Sequence, residues 1–200
     1  MRLSAGVVAT VFVLVAAAEL PDKTMIATLV LGSRSRPLLV WLGAAGAFLV
    51  HVGLAVGAGR AIELLPHEAL DIVVTSLFFL GAVLLLVVPE RRERARGEKE
   101  ADEVQPVPTK PWKIVGSAFA VIIVGEFGDL TQLLTINLEG KYHEPLAVFI
   151  GAYAGLLAAS ALGAFGGRAL LRVLPLEWIR RAGGLALLGF AAYGIYALAA

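Results

Sequence analysis

Six stretches of this 200-residue chain, roughly 4–31, 38–59, 70–89, 114–138, 145–167 and 177–199, are apolar. Each can cover the ~20 residues that a helix needs to cross a hydrocarbon core. The fold expected is therefore an all-α integral membrane protein with six transmembrane helices. Hydrophobic residues make up 58% of the chain and the mean hydropathy is +0.82, against ~45–50% apolar in soluble domains. Little chain remains between the stretches for a soluble domain. The absence of cysteine excludes disulfides, thiolate metal sites and cysteine nucleophiles. No prosthetic group and no nucleic-acid partner is implied, and a homo-oligomer is left open.

The net charge of +1 says little, whereas the placement of the charges says much. Thirteen Lys and Arg residues fall after the first, third and fifth stretches: Arg34 and Arg36, seven between Arg91 and Lys113, then Arg168, Arg172, Arg180 and Arg181. Arg2, Arg60 and Lys141 fall on the opposite side, and Lys23 lies within the first stretch. The positive-inside rule then places both termini outside the cytoplasm and the central loop within it, in a multi-pass protein of the cell's inner (plasma) membrane. The N-terminal run ending in Ala16-Ala17-Ala18 resembles a signal peptide, but apolar sequence resumes after Lys23. It is therefore read as an uncleaved helix.

Residues 90–113 interrupt the apolar pattern with mixed charges and Pro106, Pro108 and Pro111. They read as a flexible, charged cytoplasmic linker, in preference to a site for anionic lipid. On either side the chain repeats itself. A shift of about 107 residues aligns Glu19, Asp22 and Thr24 with Glu126, Asp129 and Thr131. With one further residue of shift, Pro37-Leu38 meets Pro145-Leu146, Gly43-Ala44 meets Gly151-Ala152, and Gly59-Arg60-Ala61 meets Gly167-Arg168-Ala169. Residues 1–89 and 114–200 thus read as two repeats of three helices. An odd number of spans per repeat requires the second to enter the membrane inverted, an arrangement known in transporters with midplane sites.

The matched motifs are Glu19-Leu20-Pro21-Asp22-Lys23-Thr24 and Glu126-Phe127-Gly128-Asp129-Leu130-Thr131. In a continuous helix, carboxylates three residues apart share one face. Pro21 removes a donor and clashes with the Ala17 carbonyl, while Gly128 reaches backbone conformations closed to other residues. Broken backbone at membrane depth is tolerated where it lines a cavity or site. A charged group at the bilayer centre costs at least about 2.5 kcal/mol, so four acids there call for a role. The chemistry on offer is oxygen: the four carboxylates, the Thr24 and Thr131 hydroxyls, freed carbonyls and the Gln132 amide. Such donors suit Ca²⁺, Mg²⁺ or Mn²⁺ rather than Zn²⁺ or Cu⁺. Empty carboxylates repel one another, so metal entry expels protons and protonation expels metal. A purely structural ion pair of Lys23 with Asp22 or Glu19 accounts for only one motif, because the second has Leu130 at that position.

These motifs resemble the duplicated Glu-x-Gly-Asp-Lys/Arg-Thr/Ser signature of the Golgi-type manganese/calcium transporters and their bacterial relatives. The departures are Pro21 for glycine and Leu130 for the basic residue. The resemblance implies export of Mn²⁺ or Ca²⁺ from the cytoplasm against protons. It makes Glu19, Asp22, Glu126 and Asp129 the ligands, and the residue chemistry adds Thr24, Thr131 and Gln132 as further metal ligands. Two other readings compete: a six-helix exporter of basic amino acids, and an intramembrane aspartyl protease using Asp22 and Asp129. The protease leaves the paired glutamates unexplained, so a transporter rather than an enzyme is expected.

His51, facing Ala159 in the repeat, reads as a satisfied or pore-edge histidine rather than a proton shuttle. Gly43, Gly46, Gly53, Gly57, Gly151 and Gly155 suit close helix packing. Tyr153, Tyr193 and Tyr196 need no role beyond packing or interfacial anchoring, and Asn137 is expected near the membrane surface.

Overall fold

Each acidic motif lies where one helix stops and another starts at an angle. In this computed structural model, which describes residues 3–20, 22–62, 67–87, 95, 98–99, 101–102, 109–173 and 176–199, α1 (Ala5–Glu19) is followed by α2 (Lys23–Arg34), and α5 (Pro111–Gly125) by α6 (Leu130–Tyr142). Both pairs bend by 71°. The remaining long helices are α3 (Pro37–Ile62), α4 (His67–Val87), α7 (Pro145–Val173) and α8 (Leu176–Ala199), and no strand occurs among the described residues.

At the second break, Gly128 takes φ +77°, a left-handed conformation that glycine adopts without steric penalty. Asp129 then caps α6 in extended conformation, its carboxylate accepting the Gln132 N–H. At the first break, Leu20 closes α1 with a bond to the Ala16 carbonyl and Asp22 occupies the matching N-cap of α2. Pro21, to which the sequence assigns this break, lies outside the described residues.

The halves interlock. Both members of the first broken pair pack chiefly on α7, and both members of the second pack on α3. Glycine allows the close approach. A Cβ on Gly151 would come within 2.7 Å of the Val8 carbonyl oxygen in α1, and one on Gly43 within 2.8 Å of Ala118 Cβ in α5. Gly155 and Gly46 lie on the same two seams, whereas Gly53 and Gly57 face open space. The contacts of Gly151 and Gly155 with α1, and of Gly43 and Gly46 with α5, advance in step, so α1 runs parallel to α7 and α5 parallel to α3. In contrast, α3 and α7 cross antiparallel. The Trp41 indole donates to Leu157 O at 3.1 Å and the Tyr153 hydroxyl to Ala45 O at 3.2 Å. Tyr153 therefore does more than pack. α4 and α8 are likewise opposed, through Phe78–Phe190 and Thr75–Gly194.

Among the described residues, Pro37–Arg60 of α3 and Pro145–Gly166 of α7 are each long and apolar enough to span a membrane. Each bent pair qualifies when taken as one span, giving up to four. α4 and α8 contain the shorter apolar stretches Asp71–Leu84 and Leu187–Tyr196. Leu38, Leu49, Phe79, Leu185 and Tyr193 are all half or more exposed. Apolar surface on that scale belongs in lipid rather than water.

The expected linker is not wholly solvated. Residues 95, 98–99 and 101–102 are helical, and α5 already begins at Pro111. Ala101 is fully buried against Leu31, Val40, Ile114 and Ala118, while Asp102 pairs with Arg34 at 2.6 Å. A small apolar residue flanked by a charge of the right sign suffices for docking, despite the polar composition around it. The other residues between 90 and 108 lie outside the described set.

Gly151→Ala should destabilise the fold by about 1–3 kcal/mol, through forced separation of α1 and α7. Gly53→Ala should stay within about 0.5 kcal/mol of the parent. Thermal unfolding of the purified variants in detergent measures both.

Candidate cation site

The two breaks face each other. One carboxylate oxygen from each of Glu19, Asp22, Glu126 and Asp129 lies within 4.8 Å of all the others. Opposed ligand oxygens around an octahedral ion stand at twice the metal–oxygen distance, about 4.2 Å for Mg²⁺ and up to about 5 Å for Ca²⁺. The cluster is thus on the scale of one coordination sphere. Glu19 and Glu126 are buried, Asp22 and Asp129 partly so. A continuous helix would set each Glu and Asp on one face. The structure instead sets each Glu at the end of one helix and each Asp at the start of the next. The carbonyl end of α1 or α5 and the N–H end of α2 or α6 therefore meet at the same point.

Threonines join the halves reciprocally. Thr24 Oγ1 donates to Glu126 Oε1, and Thr131 Oγ1 donates to Glu19 Oε1, the latter at 2.6 Å. One turn on, Thr28 and Thr135 bond back to the carbonyls of Thr24 and Thr131, both at 2.8 Å. Each glutamate thus has one oxygen oriented by the other repeat. The remaining oxygens, Glu19 Oε2 and Glu126 Oε2, are buried without a hydrogen-bond partner. A buried acceptor left unpaired is costly, and a cation or a proton relieves that cost. At ~4.8 Å two like unit charges repel by about 3–4 kcal/mol even at an effective dielectric near 20.

The motifs are not equivalent. Lys23, rather than serving its own motif alone, reaches across to donate to the Gly125 carbonyl, with its ammonium 3.8 Å from Glu126 Oε1. Leu130 packs toward Gly81 of α4. Thr24 and Thr131, expected among the ligands, stand beside the carboxylates as their donors. Gln132 has its amide oxygen engaged by the Gly128 N–H at 2.7 Å. His51 is buried, with both ring nitrogens partnered, and borders a cavity of ≈ 20 Å³ together with Glu126, Asp129, Thr131 and Gln132. That volume holds about one water.

One residue escaped the sequence reading. Glu139 is fully buried near the end of α6, beneath Gly59 of α3. Gly59, matched with Gly167 in the repeat, was its available signal, and it reports close packing without saying what packs there. Asn137, in the same helix, is buried and bonds back to Leu133 O at 2.7 Å.

Fold and site together define a helical membrane protein built around a buried cluster of carboxylates that two matched half-chains share. A model of the family described as "Divalent cation/proton antiporter GDT1" matches the chain twice, over residues 7–93 and 114–200. The chain belongs to this family, which is one of transporters and not of enzymes. It is 30% identical over 204 residues to "Protein PAM71, chloroplastic" of Arabidopsis thaliana, covering 92% of this chain and 55% of that protein. Identity to "PAM71-homolog, chloroplastic" of the same plant is 28%, over 92% and 58% of the two chains. With "GDT1-like protein sll0615" of Synechocystis sp. it is 25%, over 86% and 88%. The chain thus spans little more than half the length of the plant relatives. No solved structure matches.

Thr24→Val and Thr131→Val should each weaken divalent-cation binding by about ten- to a hundredfold, as loss of a ligand's orienting partner does. The corresponding serine variants should bind as the parent does. Leu130→Lys, which adds a second cation at the breaks, should also weaken binding. Calorimetric titration of the purified variants reads all five.

Proposed function

We propose that this protein is a secondary active transporter that moves Mn²⁺, Ca²⁺ or both out of the cytoplasm in exchange for protons. The observation that carries the reading is the convergence of four carboxylates from two breaks, two of them glutamates with a buried, unpartnered oxygen. Membership of a divalent cation/proton antiporter family supports it.

The mechanism follows from charge. Four carboxylates and the Lys23 ammonium leave the empty site strongly negative. Either a divalent ion or protons relieve that repulsion, and each disfavours the other. An ion arriving on one side displaces protons, and protons arriving on the other release the ion. Glu19, Asp22, Glu126 and Asp129 are the ligands in this scheme. Thr24 and Thr131 keep the glutamate oxygens aimed, with Gln132 one step outside. An ion-sized, all-oxygen cluster favours a metal over the ammonium of a basic amino acid.

The same reading places six spans in the plasma membrane as two inverted repeats, 1–89 and 114–200, with each bent pair counted as one span. The parallel packing of α1 on α7 and of α5 on α3, with α3 and α7 opposed, supports it. Both termini then lie outside and residues 90–113 inside.

In proteoliposomes, an inward proton gradient should drive efflux of preloaded Mn²⁺ or Ca²⁺, and an inward metal gradient imposed instead should drive protons out. Glu19→Gln and Glu126→Gln should each lower metal-driven proton flux at least a hundredfold. Retention of normal exchange by the quadruple variant, with all four acids converted to amides, would remove the site assignment.

Topology has its own check, because the chain contains no cysteine. Lys99→Cys and His143→Cys should react with a membrane-impermeant thiol reagent from opposite faces, Lys99→Cys from the cytoplasmic one.

A further inference from the structure

A hydrogen-bond chain lying outside the carboxylate cluster reaches the second break. His51 Nε2 stands 3.1 Å from the Ile123 carbonyl oxygen, and His51 Nδ1 stands 3.2 Å from Gln132 Nε2. Gln132 Oε1 accepts the Gly128 N–H at 2.7 Å, and the Gln132 backbone N–H donates to Asp129 Oδ1 at 2.8 Å. A carbonyl only accepts, so His51 Nε2 carries the ring proton and Nδ1 is an acceptor. That fixes the Gln132 amide, with its nitrogen toward the ring and its oxygen toward Gly128. The reversed amide would oppose two donors at Gly128 and two acceptors at His51. Only one arrangement satisfies every group. It ties the left-handed turn at Gly128 and the start of α6 to α3 through His51, and to α5 through Ile123.

The first break has a different wall. The repeat sets Met25 opposite Gln132 and Ala159 opposite His51, and both are buried apolar residues. Asp129 also caps its helix with a side-chain hydrogen bond to the Gln132 N–H, so Gln132 is held at both its side chain and its backbone. The cavity bordered by His51, Gln132, Glu126 and Asp129 places this hydrogen-bonded wall next to the carboxylates.

We propose that His51 is a specificity-determining positioning residue. It holds Gln132, and through it the turn and the helix start of the second motif, in a preorganised spacing. This rests on the divalent-cation reading above. Hard divalent ions share the same oxygen ligands, so discrimination between them comes from cavity size and ligand rigidity. A fixed Glu126–Asp129 pair imposes a spacing that favours one ionic radius. A loosened pair lets each ion set its own spacing. Loss of the hold therefore narrows discrimination, whereas a general packing defect would slow both ions alike.

The test is the ratio of KM values for Mn²⁺ and Ca²⁺ in proteoliposomes, with the thermal midpoint of each variant measured in detergent. The ratio should move toward unity by about tenfold in His51→Leu and in Gln132→Met, the latter copying the residue that the chain itself uses at position 25. The double variant should move no further, because both changes break one chain. His51→Gln, which can accept from Gln132 and donate to Ile123, should restore most of the parental ratio. An unchanged ratio in Gln132→Met or folded His51→Leu would overturn the proposal, as would additive effects in the double variant or a parent that does not discriminate. A parent that carries neither ion would instead remove the transport reading on which it rests.

Discussion

The structure depends on two glutamates that cannot be satisfied within their own half of the chain. Glu19 is held by Thr131 and Glu126 by Thr24, each bond crossing from one repeat to the other at a point shielded from water. Carboxylates in such a setting are tolerated only when paired and hydrogen-bonded. The half that supplies the acid therefore requires the other half to supply the donor. The interlocking of helices follows the same logic. Each bent pair packs on the long helix of the opposite repeat, so neither repeat completes its own site.

Close packing makes that crossing geometrically feasible. Gly43 and Gly151 bring α3 against α5 and α7 against α1 with no room for a Cβ. The Trp41 and Tyr153 hydrogen bonds fasten the two long helices across the pseudo-symmetry axis. Helix breaks at membrane depth leave backbone groups without helical partners, and here these are answered from within the site. Asp129 accepts at the start of α6, Lys23 donates to Gly125 at the end of α5, and Gln132 accepts from Gly128.

Duplication with divergence explains the unequal halves. Where one motif has Lys23, the other has Leu130; where one wall has Gln132 and His51, the other has Met25 and Ala159. A symmetric pair of motifs would form a symmetric site. These substitutions place the fixed positive charge on one motif and the hydrogen-bonded turn on the other.

The residue pattern alone determined the helical class, the apolar stretches, the duplicated motifs and the acids that belong together. These depend on hydropathy and on local order along the chain, which any reading of composition and period recovers. It also located the breaks, because a glycine or proline between two acids acts on its immediate neighbours. Partner choice was beyond it. That Thr24 serves Glu126 and not Glu19, that Lys23 crosses to Gly125, that Ala101 docks and that Glu139 is buried all depend on how helices far apart in sequence are superposed. The 71° by which each break bends was not legible either, because both arms of each bent pair pack on a helix of the other repeat.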